Sequence, residues 1–429
     1  MNYNTLAYSY IAIGKSFLFL LISIILFFGI LTTSNTVNAQ VDVTITEFPV
    51  PTNGAYLINI AEGSDGNLWF GQNATSKIGK ITPQGEFTEF LTPTPNAYPN
   101  DVTLGHDGNI WFTEAPGYNV GKIGKITPAG VITEYIIPTP GSAPGGIVAG
   151  PDDSMWFVEY FGDKIGKMTA EGIFTEYPVP TPNSGPYDMT TGPDGNLWFT
   201  EHFGNKIGKI TPNGTIIEFL VPTPNSKPAE ITNGPDGNLW FTEADGGKIG
   251  KITPAGVITE YALPDGNSPY GIVTGPDGNI WFTDNGNHIG NITTDGVISR
   301  FPIPTADSRP LSMTTDSNGN IWFVENVANK VAKVELNLVD NNPAPSEQAE
   351  NLVQAVTNLN LPNNVKNSYL ANLHKVVSFI EDGKIQAALN QLKAFTKKVE
   401  KDFQQGKITV QQFNDLKTAA NNLISDLEG

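Results

Sequence analysis

The chain has 429 residues, a formal net charge of −18 and no cysteine. The lack of cysteine excludes disulfides, thiol catalysis and zinc–thiolate sites, so packing has to stabilise the fold. The negative charge disfavours nucleic acid and anionic membranes as partners, because both carry charge of the same sign. At this length we expect more than one domain.

The N-terminal segment carries an apolar run at residues 17–31, preceded by Lys15 and followed by Val37 and Ala39. The run is short for a bilayer span, and small residues at its end suit signal-peptidase cleavage. We therefore predict a cleaved signal peptide over residues 1–39, with a retained N-terminal anchor as the alternative. Both place the protein in the extracellular space or at the cell surface, and contact with a membrane is expected only if the segment is retained.

Seven tryptophans then mark a sequence repeat. Each lies in a variant of the phrase Gly-Pro-Asp-Gly-Asn-Leu-Trp-Phe-Thr-Glu, seen in full at residues 192–201. The tryptophans are 41 to 45 residues apart, at Trp69, Trp111, Trp156, Trp198, Trp240, Trp281 and Trp322. A period in the low forties with several turn signals per unit is typical of a β-propeller.

One repeat reads as four short strands, predicted at residues 187–191, 196–200, 206–210 and 215–220. Asp-Gly and Pro-Asn-Gly sequences separate them and favour tight turns. Four antiparallel strands make one blade, so the repeats predict an all-β seven-bladed propeller over residues 41–338.

The ends of the repeat region indicate how the ring closes. An outer-strand phrase, Thr-Glu-Phe at residues 46–48, precedes the first tryptophan unit, and no such phrase follows the last. The final unit ends with a third strand at residues 330–336. We therefore predict that the N-terminal strand completes the last blade and removes both exposed edges.

Beyond residue 338 the composition changes. Residues 339–346 form a polar, proline-containing linker. Apolar residues recur at helical spacing over residues 347–429, which predicts a small all-α bundle. Gly383 and Gly406 stand where helices should end, and Thr409 with Gln412 forms a capping box for the last helix.

Two rings of equivalent positions are candidates for a functional site. The first lies three residues after each tryptophan and holds Gln72 and six carboxylates, Glu114, Glu159, Glu201, Glu243, Asp284 and Glu325. If they point at the mouth of the central channel, they form an acidic collar for a hard divalent cation such as Mg²⁺, with Glu325, Glu243 and Asp284 as the preferred ligands. Alternatively, they pair across the hairpin with a second series, Lys77, Lys122, Lys164, Lys206, Lys248, His288 and Lys330.

The second ring lies eleven residues before each tryptophan, at Ile58, Asn100, Gly145, Tyr187, Ala229, Tyr270 and Leu311. This ring varies while the framework repeats, as expected of a binding surface. We predict that Tyr187, Tyr270, Asn100 and the nearby Arg309 contact a ligand. Neutral drift in a solvent-filled channel is the competing explanation.

The repeat phrase, followed by Asn-Lys-Ile-Gly-Lys-Ile-Thr and Glu-Tyr-x-x-Pro-Thr-Pro, closely resembles the repeats of the virginiamycin B lyase family. The resemblance spans residues 41–338. It implies a seven-bladed propeller that linearises streptogramin B antibiotics by elimination across an ester, using a histidine general base and a magnesium ion. A base near neutral pKa and a metal that polarises the carbonyl suit that chemistry.

The catalytic pattern of the family is not retained. The resemblance implies Pro-His pairs at the start of the last two inner strands, where this chain has Pro269-Tyr270 and Pro310-Leu311. Arg309 replaces a carboxylate expected to bind the metal, and Glu325 is kept. We therefore assign no catalytic residue by this resemblance.

The C-terminal part resembles the FIMAH domain, a small helical module of secreted microbial proteins, through residues 361–368 and 388–399. The combined features predict a secreted, monomeric binding protein that holds a small molecule, glycan or peptide at the propeller mouth. The alternatives are a magnesium-dependent lyase or hydrolase of another substrate, with Glu325 as a ligand, and a structural surface-layer component.

Overall fold

The computed structural model describes residues 41–116, 120–338 and 344–428. The predicted signal peptide and residues 339–343 of the predicted linker lie outside these ranges. The chain divides into two compact units, one spanning Asp42–Asn337 and the other containing the C-terminal helices. None of the helices in the described ranges is long and apolar enough to cross a membrane.

The first unit is a seven-bladed β-propeller, which confirms the predicted fold class. We number the blades by their tryptophans and name the strands of each blade inner, second, third and outer. Blade 1 comprises Leu57–Glu62, Leu68–Gln72, Lys77–Ile81 and Phe87–Leu91. Blade 2 comprises Pro99–Leu104, Ile110–Glu114, Val120–Ile126 and Ile132–Pro140. Blade 3 comprises Pro144–Ala149, Met155–Glu159, Lys164–Met168 and Phe174–Pro178. Blade 4 comprises Pro186–Thr191, Leu197–Glu201, Lys206–Ile210 and Ile216–Leu220. Blade 5 comprises Pro228–Asn233, Leu239–Glu243, Lys248–Ile252 and Ile258–Ala262. Blade 6 comprises Pro269–Thr274, Ile280–Asp284, His288–Ile292 and Ile298–Pro302. Blade 7 comprises Pro310–Thr315, Ile321–Glu325 and Lys330–Leu338, and its outer strand is Val41–Pro49.

Blade 7 confirms the predicted closure, because the N-terminal strand pairs with the third strand of the last repeat. The backbone N–H of Val50 donates to the carbonyl of Asn329 at 3.0 Å. Glu47 of the N-terminal strand lies 2.5 Å from the Nζ of Lys330. This pairing covers the edge of Lys330–Leu338, but the N-terminal strand itself becomes the outer edge of blade 7, so the prediction that both edges are removed is wrong for that strand.

The repeat phrase builds the core between blades. In blade 4 the Trp198 indole stacks on Phe219 of the outer strand, with ring centroids 5.7 Å apart, and its Nε1 donates to Asp194 in the Asp-Gly turn at 3.0 Å. Trp198 also belongs to a buried cluster with Phe241 of blade 5. Gly208 of the third strand is required because a Cβ there would lie 2.1 Å from the ring of Phe199. Each repeat therefore packs against its own outer strand and against the next repeat.

The second unit contains four described helices: α1 (Pro345–Asn358), α2 (Asn363–Glu381), α3 (Ile385–Gln404) and α4 (Val410–Glu428). Their apolar faces form one buried cluster that includes Tyr369 and Phe395. The predicted capping box is confirmed, since the N–H of Thr409 donates to Oε1 of Gln412 at 2.9 Å and the N–H of Gln412 donates to Oγ1 of Thr409 at 3.2 Å.

Candidate functional site

The seven inner strands contact one another in a closed ring around the central channel, and we call the end of the channel where these strands begin the strand-start face. Asn100 and Tyr187 are the second residues of the inner strands of blades 2 and 4 and line a cavity in the channel. The cavity contains about 290 Å³ of empty space, part of it open to solvent. Two of the four predicted ligand contacts therefore lie together in one cavity.

The other two predicted contacts lie elsewhere on this face. Tyr270 is the second residue of the inner strand of blade 6, and it adds to the effects of burial and Glu230 that raise the pKa of Tyr187. Arg309 is held by its Nη1, which donates to the hydroxyl of Tyr56 at 3.2 Å. Gly145, at the equivalent position in blade 3, has a packing role, since a Cβ there would lie 2.6 Å from the carbonyl oxygen of Tyr187.

Three carboxyl groups in the channel were missed from the sequence. Asp101, Asp188 and Glu230 each lie ten residues before a tryptophan and line the same cavity. Each accepts a hydrogen bond from the inner strand of the following blade. The backbone donors are Ile147 to Asp101 at 2.6 Å, Ile231 to Asp188 at 2.9 Å and Ile272 to Glu230 at 3.2 Å. Comparing the repeats one position further along the inner strand would have found these three acids.

The channel holds these carboxyl groups in a strongly perturbed state. Burial raises the pKa of Asp188 to about 7. Burial and the nearby Asp188 raise the pKa of Asp101, and burial, Asp188 and Asp101 raise the pKa of Glu230. Within the described ranges, no lysine or arginine forms an ion pair with any of the three. Raised pKa values favour the protonated form of these acids, and Asp188, with a pKa of about 7, is partly ionised at neutral pH.

The first ring of the sequence analysis does not form an open collar. Its members end the second strands, and all seven side chains are fully buried. In five blades both carboxylate oxygens lack a hydrogen bond of good geometry, at Glu114, Glu159, Glu201, Glu243 and Glu325. Burial raises the pKa of Glu201 to about 8, with a further contribution from the negative charge of Glu218. These positions therefore favour protonated acids in the blade interior.

The proposed pairing with the lysine series is correct in register but wrong in partner. Glu201 lies opposite Lys206 in the antiparallel ladder. The Nζ of Lys206 instead lies 2.6 Å from Glu218 on the outer strand. Glu218 also accepts hydrogen bonds at 2.9 Å from the N–H and the hydroxyl of Thr181, in the loop before the blade. The ionised carboxylate of each pair thus belongs to the outer strand, and the second-strand acid lies beside it.

Blade 1 supports this assignment of protons. There, Gln72 replaces the second-strand glutamate, and its Nε2 donates to Oε1 of Glu89 at 2.8 Å. An amide has the shape and donor capacity of a protonated carboxyl group. Hydrogen bonds from Thr52, Lys77 and Gln72 outweigh the effect of burial and lower the pKa of Glu89 to about 2.

Blade 6 departs from this pattern. Its outer strand carries Arg300, whose Nη2 lies 2.6 Å from the fully buried Asp284. The same guanidinium contacts Nδ1 of His288 at 3.1 Å and forms an ion pair with Asp265 in the preceding loop. Asp284, one of the predicted metal ligands, is therefore already neutralised by a cation.

The residues at the implied metal position do not suit Mg²⁺. Arg309 supplies a cation where the resemblance implies a carboxylate. Glu325 is fully buried, and burial raises its pKa to about 7, with a contribution from Glu47. Among the described residues, no group of three or more histidine, aspartate or glutamate side chains is placed to hold a metal ion.

An aromatic cluster lies beside the channel, on the turns that follow the second strands of blades 3 and 4. The ring of Tyr160 lies 5.0 Å from that of Phe161, 5.5 Å from that of Phe203 and 6.0 Å from that of Tyr187. His202 stacks on Tyr187 at 5.3 Å. Phe161 and Phe203 are 61% and 56% exposed, so the cluster presents open ring surface to solvent.

His202 contacts Tyr187, which lines the channel cavity. Its Nδ1 lies 3.2 Å from the carbonyl oxygen of Pro228, which favours the tautomer with the proton on Nδ1. Burial lowers its pKa, and Lys227 lowers it further. His202 is therefore neutral at physiological pH.

The model of the virginiamycin B lyase family matches residues 25–228 and 147–353, and that of the FIMAH domain matches residues 347–425. No curated protein sequence matches the chain.

Solved structures give close matches to the propeller. A streptogramin B lyase structure is 39% identical, with a TM-score of 0.66, and the match covers 69% of this chain and 98% of that chain. Virginiamycin B lyase from Staphylococcus aureus is 38% identical, with a TM-score of 0.66, and the match covers 69% of this chain and all of that chain. A catalytically inactive histidine-to-alanine variant of the same enzyme, with quinupristin, matches with the same identity, coverage and TM-score. Since the family model spans more than half of the sequence, this chain belongs to the virginiamycin B lyase family.

Proposed function

We propose that this protein is an exported ligand-binding propeller that holds a small molecule, glycan or peptide at its strand-start face. The observation that carries the proposal is the channel cavity with Asn100, Tyr187 and the three carboxyl groups at its wall. These residues differ from blade to blade, whereas the residues that pack the blades repeat. Asp188 is partly ionised at neutral pH and has no ion-pair partner among the described residues, so the channel favours neutral or cationic ligands over anions.

The elimination reaction of the family is not part of this proposal. In the related enzyme from Staphylococcus aureus, replacing one histidine by alanine gives a catalytically inactive variant. Here the positions for which the resemblance implies histidine hold Tyr270 and Leu311. A phenol and an aliphatic side chain do not accept a proton at neutral pH as an imidazole does.

The export of the protein is proposed from two features. The apolar segment at residues 17–31 has the length and flanking residues of a signal peptide. The C-terminal helices match the FIMAH domain, which the sequence resemblance associates with secreted microbial proteins. We assign the helical unit a role in attachment or contact.

The decisive experiment incubates the purified protein with a streptogramin B substrate, with and without Mg²⁺, and measures the linear product by mass spectrometry. In parallel, calorimetry measures binding of the same substrate to the protein. We expect no linear product. Turnover that requires Mg²⁺ and is lost in a folded Glu325→Gln variant would overturn the binding proposal.

A gain-of-function variant serves as the matched control. Arg309→Glu combined with Tyr270→His and Leu311→His restores the residues that the resemblance implies. Product formation by this variant, and none by the parent, supports the assignment of the parent as a scaffold without its base. Folding of each variant is checked by near-ultraviolet circular dichroism, because all seven tryptophans lie in the propeller.

A further inference from the structure

The channel cavity is lined by residues from two neighbouring positions of the inner strands. Ile58, Asn100 and Tyr187 lie eleven residues before their tryptophans. The other lining residues lie ten residues before them, at Asn59, Asp101, Gly146, Asp188 and Glu230. Ile58 is the one aliphatic side chain among the lining residues that the structure describes. Pockets for drug-sized ligands are mostly apolar, so this lining suits a polar ligand.

Three side chains of the lining retain hydrogen-bonding capacity for a ligand. Within the described ranges, the amide of Asn59 and the hydroxyl of Tyr187 have no hydrogen-bond partner. The Nδ2 of Asn100 donates to the carbonyl oxygen of Pro144 at 3.4 Å, which leaves its Oδ1 and its second N–H for a ligand. An apolar ligand would take these groups out of water without replacing their hydrogen bonds. The cavity therefore selects a ligand that both donates and accepts hydrogen bonds.

The carboxyl groups of the cavity are fixed in place by the next blade. Asp188 accepts from the N–H of Ile231 at 2.9 Å, and Glu230 accepts from that of Ile272 at 3.2 Å. Gly146 of blade 3 leaves room for Asp188, since a Cβ there would lie 2.6 Å from its Oδ1. Polar groups that are held in place before a ligand arrives lose little conformational entropy when they bind it.

The charge of the lining favours a neutral ligand. None of the described lining residues is basic, so a phosphate or carboxylate group would meet no cation. Burial raises the pKa of Asp188 to about 7, and burial, Asp188 and Asp101 raise the pKa of Glu230. A protonated carboxyl group donates one hydrogen bond and accepts others, as a hydroxyl group does. The lining therefore matches a neutral ligand with several hydroxyl groups.

We propose that the channel cavity binds one neutral sugar ring, whose hydroxyl groups form hydrogen bonds with Asn59, Asn100 and Tyr187. This inference rests on the proposed ligand-binding function of the strand-start face and selects the glycan among its ligand classes. Each hydroxyl group of a sugar donates and accepts hydrogen bonds, as the lining requires. The empty space of about 290 Å³ is near the lower limit for small-molecule pockets and therefore suits a single ring.

The test measures binding of glucose, galactose, mannose and N-acetylglucosamine to the full chain, by saturation-transfer NMR and by calorimetry. Two compounds serve as controls. Tetrahydropyran-2-methanol keeps the ring but lacks the ring hydroxyl groups, and glucuronate adds a negative charge. We expect at least one of the sugars to bind roughly tenfold or more tightly than either control, because the missing hydroxyl groups leave polar groups of the cavity unpaired and no cation receives the carboxylate.

Two outcomes would overturn the inference. One is that no sugar binds, and the other is that tetrahydropyran-2-methanol or glucuronate binds as tightly as the best sugar. The proposed function is tested separately by the streptogramin titration. Streptogramin binding that Asn100→Ala weakens, without binding of any sugar, would overturn the sugar assignment and leave the ligand-binding propeller in place.

Variants locate the site. Asn59→Ala and Tyr187→Phe are each expected to weaken sugar binding severalfold, and Tyr187→Phe keeps the ring that stacks on His202. The matched control is Tyr261→Phe, on the outer strand of blade 5, where the ring stacks on Trp240 away from the channel lining. Blades 4 and 6 already carry phenylalanine at this position, at Phe219 and Phe301. Weakening by Tyr261→Phe equal to that by Tyr187→Phe would contradict the assignment to the channel cavity.

Discussion

Blades 4 and 6 place different charges at the same four positions. In blade 4 the loop, second-strand, third-strand and outer-strand positions hold Thr181, Glu201, Lys206 and Glu218. One cation serves two carboxyl groups, so one of them, Glu201, stays protonated at neutral pH because its pKa is about 8.

In blade 6 these positions hold Asp265, Asp284, His288 and Arg300. The cation has moved from the third strand to the outer strand, and the loop hydroxyl has become a carboxylate. Asp284 therefore has a guanidinium partner, which Glu201 lacks. Both blades have an acidic residue at the second-strand position, but its charge state differs between them because that charge depends on the other three residues.

The largest expected effect comes from removing the cation of blade 6. Arg300→Ala leaves the fully buried Asp284 with His288 as its remaining basic neighbour. Loss of one partner of a buried ion pair costs roughly 3–5 kcal/mol. The loss is measured as a lower midpoint of urea unfolding, followed by the near-ultraviolet signal of the tryptophans. A change below about 1 kcal/mol, with Arg300→Lys as the charge-preserving control, would show that Asp284 does not need this partner.

The second prediction concerns the protonated acid of blade 4. The folded pKa of Glu201 is about 8 against an ordinary 4.5, so the unfolded chain releases its proton first as the pH rises. Its contribution to stability is therefore greatest below pH 4.5 and is lost as the pH rises towards 8. Glu201→Gln, which copies Gln72 of blade 1, removes this loss.

We expect the stability of Glu201→Gln relative to the parent to rise between pH 5 and pH 8 by at most about 4 kcal/mol, at about 1.4 kcal/mol per unit for a fully coupled group. The measurement is the unfolding midpoint across that range. The exposed Glu86→Gln is the matched control. Parallel pH profiles for parent and Glu201→Gln would refute the assignment.

A milder effect is expected when blade 4 loses its outer carboxylate. In Glu218→Gln, Glu201 lies opposite Lys206 in the ladder and can ionise to replace the lost partner. We expect a cost of about 1 kcal/mol and a lower pKa for Glu201, since one of its like charges is removed. Carbon-13 NMR of the glutamate carboxyl groups, assigned with Glu201→Gln, measures that pKa. An unchanged pKa would mean that burial alone sets it.

The smallest effect is expected at the surface. Lys227 and Asp245 are ion-paired at 2.6 Å, but their side chains are 39% and 51% exposed. Lys227→Ala is therefore expected to leave the free energy of unfolding nearly unchanged, measured by the same urea unfolding. A loss comparable to that of Arg300→Ala would show that exposure does not separate the two kinds of ion pair.

The fold could be predicted because it is encoded locally and repeated. The Asp-Gly turn, the tryptophan and the outer aromatic residue recur at fixed spacing, and in blade 4 they become contacts between Asp194, Trp198 and Phe219. The unmatched phrase around Glu47 sufficed to predict closure of the ring. Each of these signals depends on neighbours in the sequence or on a count of strands.

The candidate site was harder to predict because contacts between blades decide it. The register of Glu201 and Lys206 follows from the hairpin, yet Thr181 and Glu218 determine which carboxylate the lysine binds. A comparison of the repeats points to Asp188 as a candidate, but its bond to Ile231 of the next blade is a contact that the repeat alone does not encode. Such bonds form between the inner strands of neighbouring blades, so the spacing of residues within one repeat does not predict them.

Closure by the N-terminal strand determines the order of events in folding. Glu47 and Lys330 are 283 residues apart in the chain, so their contact is unavailable until almost the whole ring has been synthesised. A chain that emerges from its N-terminus has to keep the strand Val41–Pro49 unpaired through the folding of six blades. Ring formation is therefore expected to be a late, slow step, and until it occurs the N-terminal strand and the edge of Lys330–Leu338 stay unpaired, which makes this interval the one most vulnerable to aggregation and proteolysis.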